Sequence, residues 1–274
     1  MTATDANTQV ISPLATPPAE IPGHNLLLGK KVVVTAAAGT GIGFASARRA
    51  LLEGADVLVS DWHERRLGEA AEKLAAEFPE RTVTQRTCNV QETAEVDALI
   101  ADAATQLGRI DVLVNNAAYQ MSRDGILEIP DGEWEHTFQT NIFAMYYLSR
   151  AAWPHLAPGS TIINTASIQA YQPSPQLLPY AATKAAIVNF SKALAQEGAE
   201  KGIRVNAVAP GPIWTPLIPA TMPEEKAQQF GKDSPMGRPG QPAELAPLYV
   251  FLASTDSSYI TGEVIGVTGG QPLA

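Results

Sequence analysis

Short apolar, β-branched runs alternate along this chain with longer segments whose apolar residues recur at helical spacing. The runs predict strands at residues 31–35, 55–60, 82–87, 110–114, 161–164, 203–208 and 263–267. The longer segments predict helices at 42–54, 64–78, 93–107, 131–156, 179–201 and 242–253. Apolar strands that alternate with helices favour a mostly parallel sheet of about seven strands, covered on both faces. The pattern therefore predicts a single doubly wound α/β domain.

Two stretches depart from this alternation. Residues 1–24 are rich in Pro, Thr and Ala without periodicity, which predicts a flexible or surface-draped arm before a domain at 25–274. Residues 211–241 contain repeated prolines and follow a predicted strand. Because open sheets bind ligands at the carboxyl ends of their strands, we interpret residues 211–241 as a substrate lid, with a solvated surface excursion as the alternative.

A glycine-rich turn joins the first predicted strand to the first helix. Its sequence runs Thr35-Ala-Ala-Ala-Gly39-Thr40-Gly41-Ile42-Gly43. Glycines at this place let backbone N–H groups and a helix N-terminus approach a pyrophosphate, although a tight turn with close helix packing would look the same. The turn indicates a Rossmann-type dinucleotide site.

Asp61 ends the second predicted strand, about 20 residues beyond the glycines. A carboxylate there accepts hydrogen bonds from the adenosine ribose and repels a 2′-phosphate, which favours NAD. Arg65 and Arg66 follow closely, more in keeping with a solvated first helical turn, and they keep NADP open.

A set of polar residues follows the later strands. Tyr180 and Lys184 lie one helical turn apart, and Ser167 stands thirteen positions before Tyr180, just past a strand. Asn115 ends another strand, and Asn141 lies within a predicted helix. Separately, these could be a packed aromatic, a helix cap and a helix-bending amide; together they indicate a catalytic site.

With these motifs, residues 26–270 resemble the short-chain dehydrogenase/reductase family. The resemblance implies a catalytic set of Ser167, Tyr180, Lys184 and Asn141. It also implies that the cofactor is bound by Thr35, Gly39, Thr40, Gly41, Ile42, Gly43, Asp61, Asn89, Val90, Asn115, Ala117, Pro210, Gly211, Ile213 and Thr215. Three positions depart from the family pattern: Ala36 and Ala118 replace common glycines, and Asn89 replaces a common Asp.

The roles implied by the family can be tested against magnitudes. A free tyrosine has a pKa near 10, and half-ionisation at neutral pH needs about 4 kcal/mol. One cation about 4 Å away supplies roughly that much at an effective dielectric near 20. We therefore expect Lys184, aided by oxidised nicotinamide, to lower the pKa of Tyr180, which acts as base or acid. Ser167 would donate to the substrate oxygen, and Asn141 would anchor a water that relays protons toward Lys184.

The substrate pocket is expected to contain aromatic or apolar residues and amides, namely Tyr119, Gln120, Gln169, Tyr171, Trp214 and Leu217. These residues hold no cation cluster, which favours a neutral carbonyl or alcohol, although Arg123 is nearby; the amides also suit a sugar. The amino-terminal part resembles family members linked to steroid or acyl-thioester breakdown. The part from Gln169 onward resembles aldehyde or sugar reductases, so the substrate stays open.

Composition narrows the setting. A net charge of -9 argues against a nucleic-acid partner, and no apolar run reaches the roughly 18 residues of a membrane span. Cys88 is the only cysteine, so an intramolecular disulfide and a cysteine-rich metal centre are excluded, and we expect no metal and a cytoplasmic location. The family resemblance implies a homotetramer, with a dimer as the alternative.

We therefore predict an oxidoreductase that transfers a hydride between NAD, or less favourably NADP, and a neutral secondary alcohol, ketone or sugar-like substrate. An NADPH-dependent 3-oxoacyl-thioester reductase and a protein that senses NAD(H) without turnover are the alternatives.

Overall fold

The computed structural model describes residues 16–273, and seven parallel strands within that range form one sheet. The strands are β1 (Lys31–Thr35), β2 (Asp56–Asp61), β3 (Val83–Thr87), β4 (Ile110–Asn115), β5 (Leu156–Thr165), β6 (Arg204–Pro210) and β7 (Val264–Val267). They are ordered β3-β2-β1-β4-β5-β6-β7. The order reverses between β1 and β4, where such sheets open a crevice for ligands. The predicted fold class is confirmed.

Helices cover both faces of this sheet. They are α1 (Ile42–Leu52), α2 (Glu64–Glu77), α3 (Thr93–Leu107), α4 (Asp131–Phe138), α5 (Ala144–Ala152), α6 (Leu178–Glu200), α7 (Leu217–Thr221), α8 (Glu224–Gln229) and α9 (Pro242–Ala253). Successive residues of a strand point to opposite faces, so Val32 and Val34 join one core cluster while Val33 joins the other. A strand buried on both faces needs a continuous apolar run, which is what β1 has.

The predicted helix at 131–156 was wrong in its continuity and in its end. Gln139–Phe143 is a π-helical turn between α4 and α5. The α-helix ends at Ala152, because Pro154 in the following 3₁₀ turn lacks an N–H and cannot continue the hydrogen-bond ladder. Strand β5 then begins at Leu156, five residues earlier than predicted. The prediction missed its first half because that half contains Pro158 and Gly159 rather than an apolar run.

The stretch 211–241 is less irregular than predicted. Helices α7 and α8 lie within it, each directly preceded by a proline, Pro216 and Pro223. A helix of five or six residues is too short to produce a periodic pattern, so neither could be predicted from the sequence.

Residues 1–15 of the predicted arm lie outside the described residues. The part that is described lies against α1: Glu20 pairs with Arg48, and the Ile21 carbonyl accepts from the Arg49 guanidinium. The N–H of His24 donates to the carboxylate of Glu53, which also pairs with Arg49. Burial alone would raise the pKa of Glu53, but these donors outweigh it and hold the pKa below its usual range.

Candidate active site

A cleft of about 480 Å³ opens at the carboxyl ends of the central strands. Its wall contains the predicted phosphate-binding turn, represented by Gly41 and Ile42, and also the predicted catalytic residues Ser167, Tyr180 and Lys184. The loop after β6 completes it with Pro210, Gly211, Ile213 and Thr215. Residues separated by more than a hundred positions thus meet because parallel strands end at the same edge of the sheet.

Tyr180 and Lys184 project into this cleft from α6. Lys184 is 1% exposed; its Nζ donates to the carbonyl of Thr165 at 2.7 Å and lies 5.2 Å from the centre of the Tyr180 ring. The hydroxyl of Ser167 hydrogen-bonds with that of Tyr180 and accepts from the N–H of Gln169. The phenol therefore lies between a hydroxyl partner and a buried amine.

Burial shifts both catalytic groups toward their neutral forms. It raises the pKa of Tyr180 to about 12, against the smaller opposing effect of the Ser167 hydrogen bond. It also lowers the pKa of Lys184 to about 7. The expectation that Lys184, aided by oxidised nicotinamide, lowers the pKa of Tyr180 concerns the protein with its cofactor bound and stays a prediction. Loss of hydration disfavours the ammonium form of Lys184 itself, which works against that effect in the protein alone.

The phosphate-binding turn is tied to the end of β4 by two side chains. Thr35 Oγ1 accepts from the N–H groups of Asn116 and Ala117 at 3.0 and 3.3 Å. Asn116 Nδ2 in turn lies 3.3 Å from the carbonyls of Thr35 and Ala36. A Cβ on Gly43 would lie 2.3 Å from the Ala36 carbonyl, so α1 can approach the turn this closely only because residue 43 is glycine. Asn116 lies between the predicted cofactor residues Asn115 and Ala117 but was not itself predicted, because its partners in the turn are 80 and 81 positions away in the sequence.

Asp61 closes the other side of the turn. Its carboxylate accepts from the N–H of Ala38 at 3.2 Å and from the N–H of His63 at 3.1 Å. Arg65 pairs with Glu69 on the exposed face of α2, as expected for a solvated first turn. Arg66 is exposed as well.

Comparisons with known proteins agree with this geometry. Residues 36–271 match the family model described as enoyl-(acyl carrier protein) reductase, one of the short-chain dehydrogenases. The chain belongs to the short-chain dehydrogenase/reductase family. It is an oxidoreductase of this type that binds NAD(P).

Individual relatives span nearly the whole chain. The uncharacterized oxidoreductase YhdF of Bacillus subtilis is 46% identical over 91% of this chain and 86% of its own. A Mycobacterium tuberculosis reductase of (5R,7aS)-5-hydroxy-7a-methyl-1-oxo-2,3,5,6,7,7a-hexahydro-1H-indene-carboxyl-CoA is 44% identical over 94% of this chain and 99% of its own.

Solved structures show the same arrangement. A short-chain dehydrogenase from Mycobacterium smegmatis superposes with a TM-score of 0.83 at 39% identity, over 94% of this chain and all of that one. A Burkholderia cenocepacia short-chain dehydrogenase in complex with NADP gives 0.82 at 28% identity, over 89% of this chain and 98% of that one.

Asn141 of this short-chain dehydrogenase lies in the π-helical turn and is 1% exposed. Its Oδ1 accepts from the N–H of Tyr119 at 2.7 Å, and its Nδ2 donates to the Tyr119 carbonyl at 2.9 Å and to Thr183 Oγ1 at 3.0 Å. A π-turn adds one residue to the helix and is common at functional sites. Asn141 therefore joins the loop after β4 to α6, at Thr183, the residue before Lys184. Asn141 does not line the main cleft.

The predicted pocket residues divide into two groups. Gln169 and Leu217 line the cleft, as does Gln120, whose Nε2 donates to Thr221 Oγ1 of α7 at 3.0 Å. Tyr119, Tyr171 and Trp214 lie outside its lining: Tyr119 packs edge-on to His136, and Tyr171 and Trp214 are 36% and 41% exposed. The apolar wall consists instead of residues that sequence reasoning missed, Leu177, Ile218, Met222 and Phe230.

The remaining predicted cofactor residues lie around this cleft. Thr40 is exposed in the turn, beside Gly39 with a φ of 89°. Asn89 lies away from the cleft lining; its Oδ1 accepts from the N–H of Gln91, and Val90 packs on the apolar core. Asn115 donates to Ser149 and Asn164 in the core beneath the cleft.

Two negative findings concern residues 16–273. No helix in this range is long and apolar enough to cross a membrane, and the range contains no group of three His, Cys, Asp or Glu side chains that could hold a metal ion. Cys88 is buried, and burial raises the pKa of its thiol to about 12.

Ala36 is strained, and this strain can be measured. It has a φ of 51° where glycine would be unstrained, a conformation that costs an L-residue roughly 1–2 kcal/mol. We expect Ala36→Gly to raise the free energy of unfolding by about 1 kcal/mol, or the melting temperature by about 2–4 °C. Ala38→Gly is the matched control, because Ala38 lies in the same turn and is absent from the residues of positive φ; it should lose up to about 1 kcal/mol. Thermal unfolding of both variants checks this, and equal effects would contradict it.

Proposed function

We propose that this enzyme transfers a hydride between NAD and a neutral secondary alcohol or ketone. The observation that carries the proposal is the meeting of Ser167, Tyr180 and Lys184 in the same cleft as the phosphate-binding turn. A bare Rossmann turn would support only nucleotide binding, whereas a phenol, a hydroxyl and a buried amine at its inner end support proton transfer.

The residues of the turn fit a dinucleotide. Helix α1 begins after Gly41 with no side-chain cap and no acidic residue in its first turn, so its N–H groups are free for an anion. A Cβ on Gly41 would meet no protein atom within 4 Å, which leaves room at the wall of the cleft for a phosphate. Ile213 and Thr215 are the residues that would contact the carboxamide.

The chemistry divides between the cofactor and the protein. A bound nicotinamide, whose carboxamide Ile213 and Thr215 would hold, would supply the hydride acceptor for alcohol oxidation and the hydride donor for ketone reduction. Tyr180 moves the proton: its phenolate takes the alcohol proton in oxidation, and its hydroxyl protonates the ketone oxygen in reduction. Ser167 donates a hydrogen bond to that same oxygen, where negative charge develops. Lys184 would stabilise the phenolate, and the positive charge of an oxidised nicotinamide would add to this effect.

Asn141 is proposed to act at Lys184 through a water. A small cavity beside the cleft is lined by Thr35, Asn115, Asn141 and Thr165, and its size suits one water. Asn115 Oδ1 is buried there and has no hydrogen-bond partner within the described part of the chain. A buried acceptor of this kind usually binds protein or water, and Thr165 connects the cavity to the Lys184 amine.

The lining of the cleft supports a neutral substrate. Among the described residues that form its wall, the charged side chains are those of Lys184 and Asp233, and arginine is absent. The apolar wall suits an alicyclic or aliphatic ketone, and the amides of Gln120 and Gln169 suit a sugar-like one. An NADPH-dependent acyl-thioester reductase is the second candidate, favoured by the likeness to the CoA-thioester reductase of Mycobacterium tuberculosis.

A turnover assay tests the reaction. With a panel of secondary alcohols, ketones, sugars and acyl-CoA thioesters, followed by the absorbance of reduced nicotinamide, we expect turnover and a loss of about 10²–10⁴-fold in kcat for Tyr180→Phe. Tyr259→Phe is the control, because this tyrosine is fully exposed and should leave kcat unchanged. Cofactor binding without turnover of any substrate class would contradict the proposal and favour a sensor.

The NAD preference rests on Asp61. Its carboxylate lies beside the turn and would repel a 2′-phosphate, although one solved relative binds NADP. We expect the parent enzyme to have the higher kcat/KM with NAD, and Asp61→Asn to reduce this preference about ten-fold or more, since a hydrogen bond to a charged group contributes about 1.5–3 kcal/mol. Asp61→Asn retains an oxygen for the N–H of Ala38, and Glu69→Ala controls for the loss of a nearby exposed charge. An NADP preference in the parent enzyme would overturn the assignment.

Three further expectations stay predictions. Residues 211–241 would act as a lid, which the Gln120–Thr221 bond and the N–H of Ser122 on the Thr221 carbonyl hold against the loop after β4. A homotetramer is supported by the exposed aromatics Phe143, at the end of the π-helical turn, and Tyr146 of α5, and the molar mass in solution decides it against a dimer. The cytoplasmic location is supported by the free, buried Cys88 and would be contradicted by secretion of the protein.

A further inference from the structure

Tyr249 of α9 is a buried tyrosine that the proposed reaction does not use. It is 2% exposed and packs within the apolar core that α9 shares with α1 and the sheet. Burial raises the pKa of its phenol well above the ordinary value, so the hydroxyl stays protonated and can donate. Burying a hydroxyl in an apolar core costs free energy unless the hydroxyl is hydrogen-bonded, so the partner of Tyr249 indicates what the hydroxyl does.

That partner is the side chain of Thr165, at 2.8 Å. Thr165 Oγ1 also donates to Asn116 Oδ1 at 3.3 Å, which leaves Tyr249 as the donor to Thr165. The carbonyl of the same threonine accepts the Lys184 ammonium at 2.7 Å. Thr165 is therefore held by its side chain while its backbone holds the catalytic amine.

The chain of hydrogen bonds continues beyond Thr165. Asn116, which accepts from Thr165, uses its Nδ2 to contact the carbonyls of Thr35 and Ala36 in the phosphate-binding turn. Tyr249 thus stands at the start of a directed chain that runs through Thr165 and Asn116 to the phosphate-binding turn, while the backbone carbonyl of Thr165 separately accepts from Lys184. Hydrogen bonds aligned in one direction polarise one another, and such networks are worth more than single bonds.

We propose that Tyr249 is a positioning residue, which fixes Thr165 so that the Thr165 carbonyl holds Lys184 and the Thr165 hydroxyl, through Asn116, holds the phosphate-binding turn. This proposal rests on the proposed function for the role of Lys184. The part of the proposal that concerns the phosphate-binding turn predicts an effect on dinucleotide binding, which can be measured without turnover. Tyr249 itself touches neither the reacting atoms nor the wall of the cleft.

Tyr249→Phe removes the hydroxyl and keeps the ring. We expect kcat to fall about three- to ten-fold, the factor that one buried hydrogen bond contributes. A loosened Thr165 carbonyl stabilises the ammonium less, so the pKa of Lys184 falls further, and the alkaline limb of kcat/KM for ketone reduction should move to lower pH by about half a unit. The dissociation constant for reduced dinucleotide, measured by nicotinamide fluorescence, should rise about two- to five-fold.

Val250→Ala is the matched control. Val250 is the next residue of α9, is equally buried and makes no side-chain hydrogen bond, so its truncation destabilises the same helix without touching Thr165. It should lower the melting temperature while leaving the pH profile and the dissociation constant unchanged. If both variants lower activity in proportion to stability, with the same pH profile, Tyr249 is only structural and the proposal is overturned.

A double-mutant cycle with Thr165→Val provides the second test. If Tyr249 acts through Thr165, Tyr249→Phe combined with Thr165→Val is no worse than Thr165→Val alone, whereas additive losses contradict the proposal. Thr165→Ser keeps the hydroxyl and should restore the parent pH profile, a comparison that remains available if Tyr249→Phe does not fold. Dinucleotide binding by a parent protein that turns over no substrate would refute the proposed function, while the binding arm would still test Tyr249.

Discussion

A buried ammonium bonded to a backbone carbonyl is the contact on which the site depends. Lys184 lies almost entirely out of water, and the Thr165 carbonyl is its hydrogen-bond acceptor. Removing a cation from water costs several kcal/mol, which a neutral carbonyl offsets only in part, and the remainder shows in a lysine pKa of about 7. The enzyme can hold such a group only where the backbone around it cannot move, and the end of β5, between β4 and β6, is such a place.

The other parts of the site follow from the geometry of that sheet edge. Three neighbouring strands, β1, β4 and β5, bring short polar side chains together at their ends. These side chains bond across strands: Thr35 to the backbone after β4, Asn116 back to the turn, Thr165 to Asn116. The Thr165 carbonyl then positions Lys184, which comes from α6.

Much of the fold and part of the site could be predicted from the sequence. The strand runs β1, β2 and β4 and the long helices carry strong periodic patterns, and Tyr180 and Lys184 share a face by spacing alone. What escaped prediction has no local pattern: the first half of β5, the short helices α7 and α8, and the apolar wall that they supply, including Ile218 and Phe230. Burial also raises the pKa of Tyr180, an effect that could not be predicted from the sequence because it depends on hydration, which spacing does not reveal. Tyr119 could be predicted near the site, but its packing against His136 could not, because the two residues meet only in the folded chain.

The contact between Glu53 and the segment before β1 bears on how the protein can be handled. The N–H groups of His24 and Leu26 supply two of the donors to a carboxylate that has no exposure to solvent. A chain shortened to begin at β1 would retain every residue of the dinucleotide crevice. It would, however, leave the buried carboxylate of Glu53 with Arg49 as its remaining partner among these donors. Affinity tags and truncations for crystallisation therefore belong before Glu20, since Glu20 and the residues after it contact the C-terminal end of α1.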